Sequence, residues 1–570
     1  MSYLLTGKAG ESRFDGELAA VPFEDGTLYH RFLSEDQASE LLAAYRTGAL
    51  AEYLHKTDIH RFLAIIVDDA KKTMLLVNDK FGSNHLLYAM REGVLYASDD
   101  AARLFAVWGE KPRINLASAY ELIDFYTICP PRTIFEGVQA VPMGAMLRFD
   151  AAGAHVESYW DFAAELRAKE YDYEKLLASY RDAFVRSVKT DFESGTTAVA
   201  LSGGVDSGGI LGVLTDIAQQ PIPSISIGAY GPNSGDLISA RITAKEHESP
   251  LVCLYPTLAD IAKLPTFMKG LEQPYNVDVL LPNALIFEEA KSRGHTRVAF
   301  GFGSEMLLGN LAMAKFSDKI NKVERFLPRI LRPALYHLYA RVRRLSRNQL
   351  EFLLAPSWPA RFLHVRGPLL SRERGVYKNI PADFPSRLER DFDGFLAQLP
   401  LGDAIVCMYL TSWENFLQWH DVGEFSRRYG IECIMPFDTP EVVREMFKAP
   451  MAVRRMKDWD KLLIRDMFKP FISRRMHDAK GRSLIIPYTK LLAPVKDEVI
   501  AYLETSPVVS ELVDFARYRE RYEALPEPGL HLARLLGLAI WYDVNWNTAN
   551  MPRVDALMET MRQRSVPYES

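Results

Sequence analysis

Short apolar runs separated by charged or glycine-containing turns dominate the first 160 residues. Residues 62–67 (FLAIIV), 73–77 (TMLLV), 86–89 (LLYA) and 94–97 (VLYA) are long enough for strands and too short for helices. This stretch predicts a layered, sheet-containing domain. From about residue 170 the pattern becomes an alternation of strand and helix. Apolar residues 198–201 (AVAL) predict a buried strand, a glycine-rich hinge follows, and residues 210–217 (ILGVLTDI) predict a helix. Residues 222–230, 251–255 and 297–300 predict further strands, with a helix over 237–246 between the first two. Such alternation is the signature of a parallel sheet covered by helices, whose ligands bind outside the carboxyl ends of the strands. The stretch from 401 to about 542 is helical in pattern and rich in aromatic residues.

Composition changes this picture little. The chain has 570 residues, nearly half apolar and a quarter charged, with a net charge of −5. Its length exceeds one ordinary core, and its charge implies no polyelectrolyte partner. Cys129, Cys253, Cys407 and Cys433 are scattered without CxxC spacing, which argues against a zinc site or a disulfide framework. The first residues lack the basic start and apolar core of a signal peptide, and no run is long enough to span a bilayer. The expectation is a cytoplasmic protein without nucleic-acid or membrane partners. One local exception is residues 311–380, with fifteen Lys or Arg against four Asp or Glu. A solvated helical face or a groove for an acidic peptide would each produce it.

The chemistry concentrates in the hinge, Ser202-Gly-Gly-Val-Asp-Ser207. Gly203 and Gly204 let backbone N–H groups approach a phosphate at a helix start, while Ser202 and Ser207 add hydroxyls. Asp206 would repel phosphate by itself, so its presence implies an intervening divalent cation. No lysine follows the glycines, so the loop differs from the Walker pattern.

This run resembles the pyrophosphate-binding loop of ATP pyrophosphatases, a group that includes the asparagine synthetases. Upstream, residues 61–68, 78–84, 130–137 and 141–144, closing at Tyr159, resemble the amino-terminal glutaminase domain of asparagine synthetases. The resemblance implies an α/β chain: a layered αββα glutaminase-like domain over residues 1–165, then a parallel-sheet ATP-pyrophosphatase domain over 170–570, of the adenine nucleotide α-hydrolase-like kind. A basic helical insertion occupies about 311–390. A glutaminase of this family needs an amino-terminal cysteine, and here Ser2 follows Met1. The family's Asn-Gly-Glu segment also has no counterpart, so this domain is expected to be a scaffold.

Further signatures follow the same resemblance. Residues 300–309 (FGFGSEMLLG) look like the synthetase domain's second motif, placing Glu305 where the family has an aspartate sharing magnesium with the equivalent of Asp206. Phe302 stands where asparagine synthetases carry glutamate and β-lactam synthetases tyrosine. Residues 430–438 resemble the family's Pro-Phe-Leu-Asp segment, with Ile434 in place of an arginine, and residues 460–465 match its Lys-x-x-Leu-Arg helix. Lys480 resembles a loop lysine suited to stabilising charge on the phosphates and the tetrahedral oxygen.

The function implied is an ATP- and Mg²⁺-dependent carbon–nitrogen ligase that adenylates a carboxylate and joins it to an amine without glutamine hydrolysis. Ser202, Gly203, Gly204 and Ser207 would hold pyrophosphate, Asp206 and Glu305 magnesium, and Ala200, Leu201, Ile227 and Gly301 would line the nucleotide, with Lys480 catalytic. Relatives without ammonia delivery are β-lactam synthetases and lasso-peptide macrolactam synthetases. The reading favours macrolactam closure of a peptide, beside a leader peptidase and a leader-binding protein. Its alternatives are a small-molecule amide synthetase acting on an amino-acid-derived substrate, and an inactive scaffold.

Overall fold

The computed structural model describes the chain outside residues 1, 9–10, 126, 305–319, 346, 367–374, 382–383, 413, 455–460, 479–485, 526–527 and 568–570. Its amino-terminal part holds two antiparallel sheets. One is ordered β2-β1-β8-β7-β9, from β1 (Tyr3–Lys8), β2 (Glu11–Gly16), β7 (Leu87–Arg91), β8 (Val94–Ser98) and β9 (Gln139–Ala140). The other is ordered β11-β10-β6-β5-β4-β3, from β3 (Ala19–Phe23), β4 (Gly26–Arg31), β5 (Leu63–Asp68), β6 (Thr73–Asn78), β10 (Ala145–Asp150) and β11 (Gly153–Ser158).

The two-residue period of β5 explains the layering. Leu63, Ile65 and Val67 pack with Leu5, Leu95 and Leu147 in a core between the sheets. Ala64 and Ile66 face the other way, into the core that contains Leu41, Leu42 and Tyr45 of helix Glu35–Arg46. That helix is started by a capping box, in which the Ser34 hydroxyl accepts from Gln37 N and the Gln37 side chain accepts from Ser34 N. Helix Ala101–Trp108 follows β8 after an Asp100 cap. The αββα expectation is met.

The second sheet system is fully parallel and ordered β14-β13-β12-β15-β16, from β12 (Thr197–Ala200), β13 (Ser224–Ile227), β14 (Leu251–Leu254), β15 (Arg297–Ala299) and β16 (Glu432–Ile434). Chain order reverses between β12 and β15, which opens a crevice at their carboxyl ends. β13 is shorter than residues 222–230 because Pro221 and Pro223 crowd its start and Gly228 ends it. β16 lies inside residues 430–438, the segment that resembles the family's Pro-Phe-Leu-Asp motif and that the apolar pattern does not mark as a strand.

The helix after β12 begins at Val205 and runs to Ala218, so Gly208 and Gly209 lie inside it and not in a hinge. It is buried nearly all round, and its glycines are contact points. A Cβ on Gly209 would sit 2.3 Å from ring carbons of Phe468, and one on Gly212 2.3 Å from the Phe471 carbonyl oxygen. Close packing overrides poor helix propensity here.

The two halves share one hydrophobic core. Arg61 donates to the Cys433 carbonyl (2.5 Å), and buried Arg534 donates to the Ile123 carbonyl (3.0 Å) while pairing with Asp278 (3.0 Å). His85 meets Tyr275 (2.7 Å) and Glu272 (2.8 Å). The amino-terminal domain therefore braces β16, the neighbour of β15, and the helices that hold Arg534 and Asp278. Among the described residues, no helix is long and apolar enough to cross a membrane.

Candidate active site

The crevice is built on the turn from β12 to the helix Val205–Ala218. Leu201 is still held in the sheet, its N–H donating to the Ile225 carbonyl (2.8 Å). Gly203 then takes φ +79°, and a Cβ there would lie 2.2 Å from the Asp236 carbonyl oxygen. Only glycine fits that position. Gly204 is the N-cap and has no side chain to close the helix end, so the first-turn N–H groups remain available to an anion. The two serines brace the turn. Their hydroxyls are 3.0 Å apart, Ser207 Oγ accepts from Ser202 N (3.1 Å), and Ser202 Oγ accepts from Gly204 N (3.3 Å). Ser207 is buried and Ser202 exposed, so Ser202 is the hydroxyl that an incoming ligand meets.

The end of β15 closes on this turn from the other side. A Cβ on Gly301 would lie 3.1 Å from Ser207 N and 3.3 Å from Asp206 Cβ, so the two segments are in close contact and a side chain would have to push them apart by a few tenths of an ångström. Gly303 takes φ +90° beside the buried Asp438 carboxylate. Between them, half-buried Phe302 stacks on Phe300 with ring centroids 5.2 Å apart. The ring has no proton to give or take.

Lys461 completes the cluster. Its ammonium donates to Asp206 Oδ2 (2.6 Å) and to Ser304 Oγ (3.1 Å), tying the two strand ends together from a third segment. Lys461 is not within the helix Leu462–Phe468 but caps it, at φ +63°. A lysine held in the left-handed region is backbone strain of the kind found where geometry serves a site. Arg465 in that helix is buried and donates to the His477 carbonyl. Residues 460–465 were legible as a matching helix, but the pairing of Lys461 with Asp206, 255 positions away, was not.

Of the expected site residues, Ser202, Gly203, Gly204, Asp206, Ser207 and Gly301 meet at this turn. Ala200 is partly exposed at the strand end. Leu201 and Ile227 are buried in the core and can offer the crevice only backbone. Glu305 and Lys480 lie outside the described residues. For a cation, the decisive atom is Asp206 Oδ1, which is buried and has no hydrogen-bond partner among the described residues. A hard oxygen left open beside an uncapped helix start fits magnesium, which takes one or two carboxylates and fills its shell with phosphate oxygens and water. No group of three or more His, Cys, Asp or Glu suited to a metal occurs among the described residues.

A sequence profile of asparagine synthase matches residues 179–543, and one of the glutamine amidotransferase domain matches 25–160. The chain belongs to the asparagine synthase family. The second match assigns its amino-terminal part to the glutaminase-like fold. Among curated proteins it is similar to Amidase chyE of Penicillium rubens, 23% identical over 212 residues, 34% of this chain and 31% of that protein. Amidase chry2 of Gibberella zeae is 23% identical over 198 residues, 33% of this chain and 28% of that protein. The chain thus spans about a third of these relatives' length. A solved glutamine phosphoribosylpyrophosphate amidotransferase from B. subtilis, complexed with ADP and GMP, aligns at 10% identity over 53% of this chain and 75% of that one, with a TM-score of 0.16.

The amidotransferase fold retains its shape around different residues. The Ser2 carbonyl accepts from Arg103 (2.8 Å), whose guanidinium also reaches Ser2 Oγ (3.4 Å) and pairs with Asp15 (2.5 Å). Asp99 holds Tyr3 N (2.9 Å) and Arg31 (2.7 Å). Cys129 is buried, and burial raises its thiol pKa, which disfavours the thiolate a nucleophile needs.

Proposed function

We propose that this chain is an ATP-dependent, AMP-forming carbon–nitrogen ligase that activates a peptide carboxylate and joins it to the same peptide's amino terminus, closing a macrolactam. A substrate carboxylate oxygen attacks the α-phosphorus, the bond to the β-phosphate oxygen breaks, and pyrophosphate leaves. The amine then attacks the acyl carbon, AMP departs with the bond's electrons, and the amine gives up a proton. Each step has a better leaving group than direct condensation offers.

The observation that supports this reading is the Asp206–Lys461 pair at the open start of the helix Val205–Ala218, where two strand ends meet. The first-turn N–H groups and Ser202 face the departing pyrophosphate. Lys461 Nζ, held by Asp206 and Ser304, is a fixed positive charge where negative charge grows. Asp206 Oδ1, with Glu305 as the expected second carboxylate, would hold magnesium, which supplies charge neutralisation to the triphosphate when bound. Lys480 is the proposed stabiliser of the acyl-transfer step.

Phe302 supports an amine other than ammonia. At the position where the asparagine synthetases carry glutamate, a stacked ring offers apolar surface and no base. Deprotonation then falls to another group or to the substrate. The partners proposed are a peptide substrate, a leader peptidase and a leader-binding protein.

The test is to incubate the chain with ATP, Mg²⁺ and peptides that carry an internal Asp or Glu and a free amino terminus. Loss of one water from the peptide, matched one-to-one by AMP, is expected. AMP formation with small amino-acid-derived substrates alone would replace the macrolactam reading with a small-molecule synthetase.

A further inference from the structure

Helix Arg332–Arg343 and the turn before it present apolar side chains that nothing in the described chain covers. Phe326 is 85% exposed, Ile330 87%, Leu338 58% and Val342 71%. Leu331, Leu335, Leu338, Tyr339 and Val342 recur at helical spacing and so form one stripe, while Tyr336 and Ala340 on another face are buried. A soluble surface seldom gathers this many bulky residues into one patch.

Charge frames the stripe. On a wheel of 3.6 residues per turn, Arg341 borders one edge and Arg332 and Arg343 the other, with Arg344 just beyond the helix. Arg341, Arg343 and Arg344 have no carboxylate partner among the described residues. Between residues 320 and 345 the only acid is Glu324, which is already engaged by Arg332, Arg361 and Tyr336. The face is therefore a cationic ridge with an apolar crest.

We infer that this ridge docks the enzyme onto an anionic lipid surface. Two features favour a bilayer over an acidic protein. Side chains this exposed stand on a convex edge, which a fluid headgroup layer accepts without a matching groove. Arginines on both flanks of an apolar stripe keep their stems along the acyl boundary and their guanidinium groups among lipid phosphates. No spanning segment is needed, so this departs from the expectation of no membrane partner without contradicting the lack of a membrane-crossing helix.

The experiment is flotation of the purified full chain with vesicles of phosphatidylcholine alone and of phosphatidylcholine containing about one third phosphatidylglycerol. Flotation with the anionic vesicles only is expected, weakening as salt rises. The variants Leu338→Glu/Val342→Glu and Arg341→Ser/Arg343→Ser should each reduce the floated fraction about tenfold while leaving ATP–pyrophosphate exchange unchanged. Failure to float with anionic vesicles would overturn the inference, as would flotation indifferent to both variants. So would a dimer that Leu338→Glu/Val342→Glu dissolves without any vesicle binding, which would assign the ridge to a second copy.

Discussion

Asp206 divides its two carboxylate oxygens between two tasks. Oδ2 takes the Lys461 ammonium at 2.6 Å, and Oδ1 stays buried and open. Lys461 in turn holds a left-handed backbone that a lysine adopts at a cost. Charge and backbone can be separated at this residue. Lys461→Asn tolerates the left-handed conformation but removes the ammonium, so it should fold normally while pyrophosphate release falls about a hundredfold, as for loss of one preorganised charge. Near-normal release by that variant would reduce Lys461 to a helix cap. At this scale the sequence was legible where chemistry and local order coincide. Serines, glycines and an acid between an apolar strand and helix have few other uses, whereas Lys461 depends on a partner 255 residues distant.

Among the elements, the helix Val205–Ala218 decides how close the Ser202–Ser207 turn lies to its supports. The sequence pattern places Gly208 and Gly209 in a hinge and Gly212 in the helix, yet all three are helical, and Phe468 and the Phe471 carbonyl occupy the space that side chains on Gly209 and Gly212 would need. Gly209→Ala, which would strengthen a free helix, should instead destabilise the protein by about 1 to 3 kcal/mol through overpacking. A lower midpoint in urea unfolding is the expected result, and an unchanged midpoint would show that the Phe468 ring moves aside. The apolar strands β5, β6, β12 and β14 were legible from their runs. β16 was hidden, being three residues long and identifiable only by its pairing with β15.

For the whole molecule, the buried contact between the two halves is the part least visible in the sequence, since it joins residues that have no shared motif. His85 and Glu272 lie 2.8 Å apart there. Burial pushes the Glu272 carboxyl up to about 7 and the His85 imidazole down to about 3, so both favour their neutral forms. The raised Glu272 pKa contributes stability that is complete below the ordinary carboxyl value of 4.5 and is lost as pH rises through about 7. His85 acts in the opposite sense, its contribution complete above the ordinary value of 6.5 and declining as pH falls toward 3. Glu272→Gln should therefore make the urea midpoint fall less steeply, or rise more steeply, between about pH 4.5 and pH 7. An unchanged slope in the variant would place the titrating group elsewhere.

The amino-terminal domain also yields a negative prediction. Ser2→Cys should confer no glutamine hydrolysis, because Arg103 engages that residue's carbonyl and reaches its side chain. Ammonia release from glutamine by that variant would show an intact glutaminase pocket.

The central claim is that the crevice between β12 and β15 breaks ATP at its α-phosphorus. Pyrophosphate released from ATP and Mg²⁺ by the wild-type chain and by Asp206→Ala, in the presence of a substrate carboxylate, tests it most directly. The account predicts AMP and pyrophosphate from the wild type and at least a hundredfold less from the variant, about 2.7 kcal/mol of transition-state stabilisation. Undiminished release by Asp206→Ala, or ADP and phosphate in place of AMP and pyrophosphate, would contradict it.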